Sequence, residues 1–259
     1  IEADIVYGTG DIICASLTFG SKAILTVNKW WLGPENEAKL HTAFDKYLGK
    51  YKRERNIVLE IVFCDNEAEC AKLLIDRAHE WKPDFISIWN MNYDLKKIDE
   101  VFKKYNYDSA RIFSDPAVPD VFCKWKYKEG KTQKVTQSGK TTGLHPADRW
   151  HIAECPASFY FIDAMCLYKR IRLAAGMVSS YSLDATLKRH LGIGKLNFAD
   201  VDKLNGTAWH KEMQTTYRVE YCIYNIFDNI GQELLDEKTG DINKSFTALV
   251  GVSDFDKFN

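Results

Sequence analysis

Apolar positions recur at two different periods along this chain, and each change of period predicts an element boundary. Over residues 1 to 31, short β-rich runs (IEADIVY, DIICASLTFG, KAILTVNKWW) are separated by turn signals such as GTG, which predicts an antiparallel meander. The period then lengthens. In NEAKLHTAFDKYLGKYK, Leu40, Phe44, Tyr47 and Leu48 form one helical stripe, and in NEAECAKLLIDRAHEW the stripe is Ala71, Leu74, Ile75 and Ala78. NIVLEIVF lies between these as a strand, PDFISIWN follows as a buried strand, and DLKKIDEVFKKYN as a helix. Strands alternating with helices add in parallel to an existing sheet, so the fold class predicted is α/β.

From residue 111 to 160 the periodicity weakens, and residues 124 to 140 carry six lysines against one glutamate, with Trp125 and Tyr127 among them, as a polar hairpin would. SFYFID then reads as strand and AMCLYKRIRLAAG as a helix ending at Gly176. SLDATLKRHLG reads as a helix capped by Ser182 and stopped by Gly192. A last helical stretch runs from about Thr207 through Leu235.

Composition narrows the class. A chain of 259 residues, 46% hydrophobic, can bury one full core. With 35 basic and 36 acidic residues it lacks the basic field of a duplex-wrapping protein, so any nucleic-acid contact is local. Seven cysteines without a CxxC pair, several of them inside apolar runs (Cys14, Cys64, Cys166, Cys222), predict buried free thiols in a reducing compartment, the cytoplasm. Neither a membrane-length apolar run nor a secretory leader is present. The first residue is not methionine and strand pattern is already running there, which predicts a piece of a longer chain.

Three acidic residues stand where α/β sheets place active sites, at strand ends and on a facing helix: Glu2 on the first strand, Asp94 just beyond FISIWN, and Asp228 in YCIYNIFDNI. Carboxylates gathered from distant segments suit hard divalent cations, and two such ions roughly 3.5 to 4 Å apart can activate water against a phosphodiester. Tyr224 precedes Asp228 by one helical turn and shares its face. Asn90 supplies an amide at the strand end, and Tyr93 a ring on which a terminal base can stack. Asp4 shares the strand face of Glu2 and competes with it as a ligand. Asp163 reads as a helix N-cap, and His145 with His151, lacking partner cysteines, do not make a zinc site.

NMNYD and YNIFD, in this order and separation, resemble the second and third motifs of the proofreading 3′-to-5′ exonuclease domain of family B DNA polymerases, closest to bacteriophage members. FIDAMCLYKRI and SYSLDATLKRHLGIGKL are similar to the segments that precede the third motif. The resemblance extends from Ile1 to about Asn259 and implies one exonuclease domain, a ribonuclease H-like mixed sheet flanked by helices (the DnaQ-like exonuclease fold), with a hairpin insertion near 111–160 and no polymerase module in this chain. It implies Glu2, Asp94 and Asp228 as ligands of two divalent cations, Mg2+ or Mn2+, and Tyr224 as the residue that orients the attacking water. Asn90 and Tyr93 would hold the 3′ end, Lys195 would contact the scissile phosphate, and Ser182 with Leu183 would contact substrate. The partners implied are a single-stranded DNA 3′ end and the polymerase domain of the same parent chain, in a host cytoplasm if the parent is viral, with no membrane. The family's first motif is Asp, Ile, Glu, and only its last two residues stand here, as Ile1 and Glu2, so the fragment is expected to be weakly active at best. A related exonuclease that trims RNA, or an exonuclease fold that only binds DNA or partner proteins, are the competing readings.

Overall fold

The computed structural model describes residues 1 to 250 except 177, 195, 197, 199, 200 and 202. Four strands make a mixed sheet in the order β1 (Glu2–Ala3), β2 (Ile12–Phe19), β3 (Lys22–Asn28), β4 (Val58–Cys64). β1 and β3 both run antiparallel to β2, and β4 joins β3 in parallel. The β2–β3 hairpin turns on Gly20 and Ser21, and Gly20 at φ +61° takes the left-handed conformation that a two-residue turn needs. The parallel step to β4 is made possible by helix α1 (Glu37–Arg55), which ends where Asn56 turns left-handed.

The first strand is far shorter than the run IEADIVY predicts. Asp4, 3% exposed, turns its carboxylate onto the amides of Val6, Tyr7 and Thr9 and the Thr9 hydroxyl, at 2.8 to 3.0 Å, so the chain closes into a loop instead of extending.

Alternation along the central strands divides the core. Ile13, Leu25 and Val27 face α1 and helix α8 (Arg218–Thr239), where Leu40, Phe44, Ile223 and Phe227 complete a buried cluster. Ile12, Ala15 and Ile24 face helix α2 (Glu67–Trp81) and helix α3 (Met91–Lys104), with Ala71, Leu74, Leu95 and Phe102. Asn66 caps α2 by accepting the Glu69 amide at 3.0 Å.

Between α2 and α3 runs β5 (Phe85–Ile88), which pairs in parallel with a strand from much later in the chain, Tyr160–Asp163. The intervening segment holds a short helix α4 (Ser109–Phe113) and four short strands, β6 (Lys126–Lys128), β7 (Gln133–Val135), β8 (Thr141–Gly143) and β9 (Ile152–Glu154). The lysine-rich hairpin predicted there is narrower than expected: β7 pairs with β8, whereas β6 reaches across to β9. Tyr160–Asp163, now β10, leads into α5 (Ala164–Ile171), shorter than its sequence pattern, since a 3-10 turn at 173–175 and Gly176 finish that run. Next come α6 (Leu183–Leu191), capped by Ser182 and stopped by Gly192 at φ +67°, then α7 (Gly206–Thr215), α8, and α9 (Asp241–Val250). The last long helix is thus broken at Thr216 and Tyr217. Cys14, Cys64, Cys166 and Cys222 are buried free thiols. Among the described residues, no helix is long and apolar enough to cross a membrane.

Candidate functional site

β5 ends at Ile88, and the turn into α3 delivers the polar cluster that follows. Asn90 stands at the N-cap position but its side chain makes no cap hydrogen bond, which leaves its amide directed outward. Asp94 lies in the first turn of α3, where the helix dipole favours a negative charge, and accepts a hydrogen bond from the Ile1 nitrogen at 3.0 Å. Tyr93, 43% exposed, sits between them. Burial of its hydroxyl, reinforced by Glu2 and Asp94, pushes its phenol up to about 12.

Glu2 reaches the same place from β1. Tyr221 on α8 donates to its Oε2 at 2.5 Å, and Asn225 lines the same cavity. Burial pushes the Glu2 carboxyl above its ordinary value, with the Ile1 nitrogen and the Tyr221 hydroxyl opposing the shift. Tyr221 is itself held by His210 of α7 at 2.8 Å. Gln214, also from α7 and 1% exposed, donates to the Ala3 carbonyl at 2.8 Å and accepts from the Ile5 amide at 2.9 Å, as a neighbouring strand would. The break between α7 and α8 permits this, because it lays α7 across the end of β1.

Asp228 follows Tyr221 by two helical turns on α8, the face that also carries Tyr224, whose phenol is pushed up by burial and by the nearby Asp228 carboxylate. Tyr224 is 6% exposed and lies behind Asp228, stacked on Tyr221 at an interplanar angle of 10°. Asn225 and Asn229 both bond the Ser16 hydroxyl at 2.7 Å, fixing α8 to β2.

Glu2, Asn90, Tyr93, Asp94, Leu183 and Asp228 thus line one cavity of about 450 Å³, with Tyr221 and His210 in its wall. A second chamber of about 430 Å³ adjoins it through Trp89, Asn90 and Leu183 and is lined by Ser182, Arg149, His151 and Asp163. Ser182 and Asp163 are N-caps, accepting the amides of Ala185 and Cys166. Asp4, spent on its own loop, is not among the residues of either chamber. Lys195 lies outside the described residues.

Three carboxylates line the larger cavity, and among its described residues the Ile1 terminal ammonium, paired with Asp94 at 3.0 Å, is the positive charge beside them, leaving the site acidic on balance. The donors are all oxygen, the chemistry of Mg2+ or Mn2+. No three His, Cys, Asp or Glu side chains of the described residues are grouped closely enough to hold one ion unaided. Sequence reasoning missed Tyr221, His210 and Gln214. Only Tyr221 left a signal, by falling on the helical face of Tyr224 and Asp228.

No family model matches the chain, and no curated protein matches it.

Proposed function

We propose that this chain is the 3′-to-5′ exonuclease domain of a family B DNA polymerase, with a ribonuclease H-like fold, hydrolysing single-stranded DNA from its 3′ end. What carries the reading is that Glu2, Asp94 and Asp228, from three segments remote in sequence, line one cavity together with Asn90 and Tyr93. In this reading Glu2, Asp94 and Asp228 would hold Mg2+ or Mn2+, and an aspartate joined to the Ile1 nitrogen, which lies 3.0 Å from Asp94, would add a further carboxylate. Bound there, such ions would supply Lewis acidity to the scissile phosphate and lower the pKa of an attacking water. Tyr224 holds the orientation of Asp228, Tyr221 that of Glu2, and the exposed Asn90 amide and Tyr93 ring receive the terminal nucleotide.

A 5′-labelled single-stranded oligonucleotide tests this, incubated with Mg2+ or Mn2+ and the chain carrying an aspartate before Ile1. Stepwise shortening from the 3′ end, lost in Asp228→Asn, is expected. An unshortened oligonucleotide with either metal overturns the reading. The alternative of a fold that binds DNA without cleaving it draws on one observation, the Glu2 carboxylate already engaged by Tyr221 and raised by burial. Retained binding of the oligonucleotide without shortening would select it. A ribo-oligonucleotide cut in preference to its deoxy counterpart would select RNA trimming.

A further inference from the structure

Tyr221 is fully buried, and its ring is held between two others: Trp31 meets it edge-on at 6.3 Å and Trp209 lies tilted against it at 6.0 Å. Its hydroxyl is shared by three side chains. It lies 2.5 Å from Glu2 Oε2, 2.8 Å from His210 Nδ1 and 3.4 Å from Gln214 Nε2. A phenol has one proton to give, so only one of the three can accept from it and the other two must donate.

The backbone decides the part of Gln214. Its Oε1 accepts the Ile5 amide at 2.9 Å and its Nε2 donates to the Ala3 carbonyl at 2.8 Å, so turning the amide over would set donor against donor and acceptor against acceptor. Nε2 is therefore a donor towards Tyr221. Two arrangements are left. In one, His210 donates from Nδ1 and Tyr221 gives its proton to a Glu2 carboxylate. In the other, Glu2 carries a proton, Tyr221 donates to His210, and Nδ1 is bare. The first arrangement brings two donors in and sends one bond out, each polarising the next, and it ends on a charged acceptor, the kind of pair that closes to about 2.5 to 2.7 Å. Helical spacing puts the donors in place: His210 and Gln214 stand one turn apart on α7 and share the face that meets Tyr221. One face of α7 thus holds the backbone on both sides of Asp4 and, through Tyr221, the Glu2 side chain.

We infer that His210 is a positioning residue for Glu2: as a donor from Nδ1 it commits the Tyr221 proton to the Glu2 carboxylate and so fixes that carboxylate, ionised, before a divalent cation arrives. The bearing on a cation rests on the nuclease reading above; the direction of the hydrogen bonds does not. A ligand must be deprotonated to bind a metal, and partners that orient a ligand from behind commonly change metal affinity by about 10- to 100-fold. His210 therefore acts on Glu2 without touching substrate.

Two measurements on the chain from Ile1 to Asn259 test this. Long-range 1H–15N correlation spectra of the 15N-labelled protein at about pH 8, where an ordinary imidazole is neutral, are expected to place a proton on Nδ1 of His210. A proton on Nε2 alone overturns the inference. Mn2+ binding, read from the EPR signal of the free ion without any substrate, is expected to weaken by about tenfold or more in His210→Leu. His210→Asn, whose side-chain amide keeps a donor at the place of Nδ1, is expected to stay within about threefold of the parent. A His210 that serves packing alone would lower Tm in His210→Leu and leave Mn2+ affinity per folded molecule unchanged, which overturns the inference, as does equal weakening in both variants. Should His210→Leu not fold, the spectrum of the parent decides. A parent chain that binds no Mn2+ sinks the metal site rather than the direction of the hydrogen bonds, and the proton on Nδ1 then upholds or overturns the placement of Glu2 by itself.

Discussion

Two walls of one cavity are built on opposite plans. On the α8 wall most polar groups are already bonded within the protein: Tyr221 to Glu2 and His210, Asn225 and Asn229 to Ser16. On the α3 wall, Asn90 and Tyr93 are exposed, and the Asn90 side chain makes no cap bond. A site that acts on a ligand needs both, one wall whose geometry is fixed before binding and one whose hydrogen-bonding capacity is still open. The difference assigns the α8 wall to positioning and the α3 wall to contact.

Removing a carboxylate from each wall should have the largest effect. In the chain carrying the preceding aspartate, Asp94→Ala and Asp228→Ala should each lower 3′-end cleavage by about 10²-fold or more, because an ion shared between walls loses a ligand either way. Full loss in Asp228→Ala beside a normal rate in Asp94→Ala would break the comparison, leaving α3 with no part in the chemistry.

Next come the two tyrosines of the α8 wall. Tyr221→Phe strips one hydroxyl from Glu2 and His210 together, in a buried setting, and should cost about 1 to 3 kcal/mol in urea unfolding. Tyr224→Phe removes a hydroxyl beside Asp228, which is half-buried and open to the cavity, so its cost should stay near about 1 kcal/mol while the cleavage rate per folded molecule drops. Equal costs would mean that both hydroxyls serve packing alone.

Much of this arrangement was legible in the chain's periodicity. β2, β3, β4, β5 and β10 follow apolar runs, and α1, α2 and α3 follow stripes such as Leu40, Phe44 and Leu48, because burial on one face selects the same residues that a period detects. Asn90, Tyr93, Asp94 and Asp228 were legible as candidates for a related reason: a strand end and a helix face leave few places for polar side chains to go. What escaped depends on contacts that no period records. β1 shrinks because the Asp4 carboxylate prefers its own loop amides, and both readings of Asp4, strand residue or ligand, fail for that reason. Gln214 and His210 gain their places only through the break at Thr216 and Tyr217, which the continuous helical pattern of 207 to 235 conceals.

The α3 wall should show the reverse balance of effects. Asn90→Ala and Tyr93→Leu change exposed side chains, so unfolding free energies should stay within about 0.5 kcal/mol of the parent. Affinity for a short single-stranded oligonucleotide, measured with Ca2+ in place of the catalytic ion, should fall about five- to tenfold for Tyr93→Leu through the lost stacking face. A large loss of stability with unchanged affinity would move Tyr93 from the contact wall to the positioning wall.

The smallest effect concerns the chamber beside the α3 wall, where acid should act without touching α8. Burial holds the His151 imidazole below its ordinary value, with Asp163 and Glu129 opposing. Its Nδ1 accepts the Gly130 amide at 3.2 Å, so a proton there would face a donor and break the bond to that loop. The folded state therefore binds fewer protons than the unfolded chain, and the stability that neutral His151 contributes is full above the ordinary histidine value of about 6.5. It is lost as pH falls through the lower folded value. Asp163, raised by burial, has the opposite sign: its contribution is complete below the ordinary carboxylate range and is lost as pH rises. His151→Gln should accordingly gain Tm relative to the parent as pH is lowered from neutrality toward the upper edge of the carboxylate range. Hydrogen exchange should speed up in the parent at 127 to 130 and 149 to 152 over the same interval, while amides of α8 stay protected. Parallel Tm curves for the two proteins would show that His151 takes no part, and loosening of α8 in step with the loop would show that the walls are not independent.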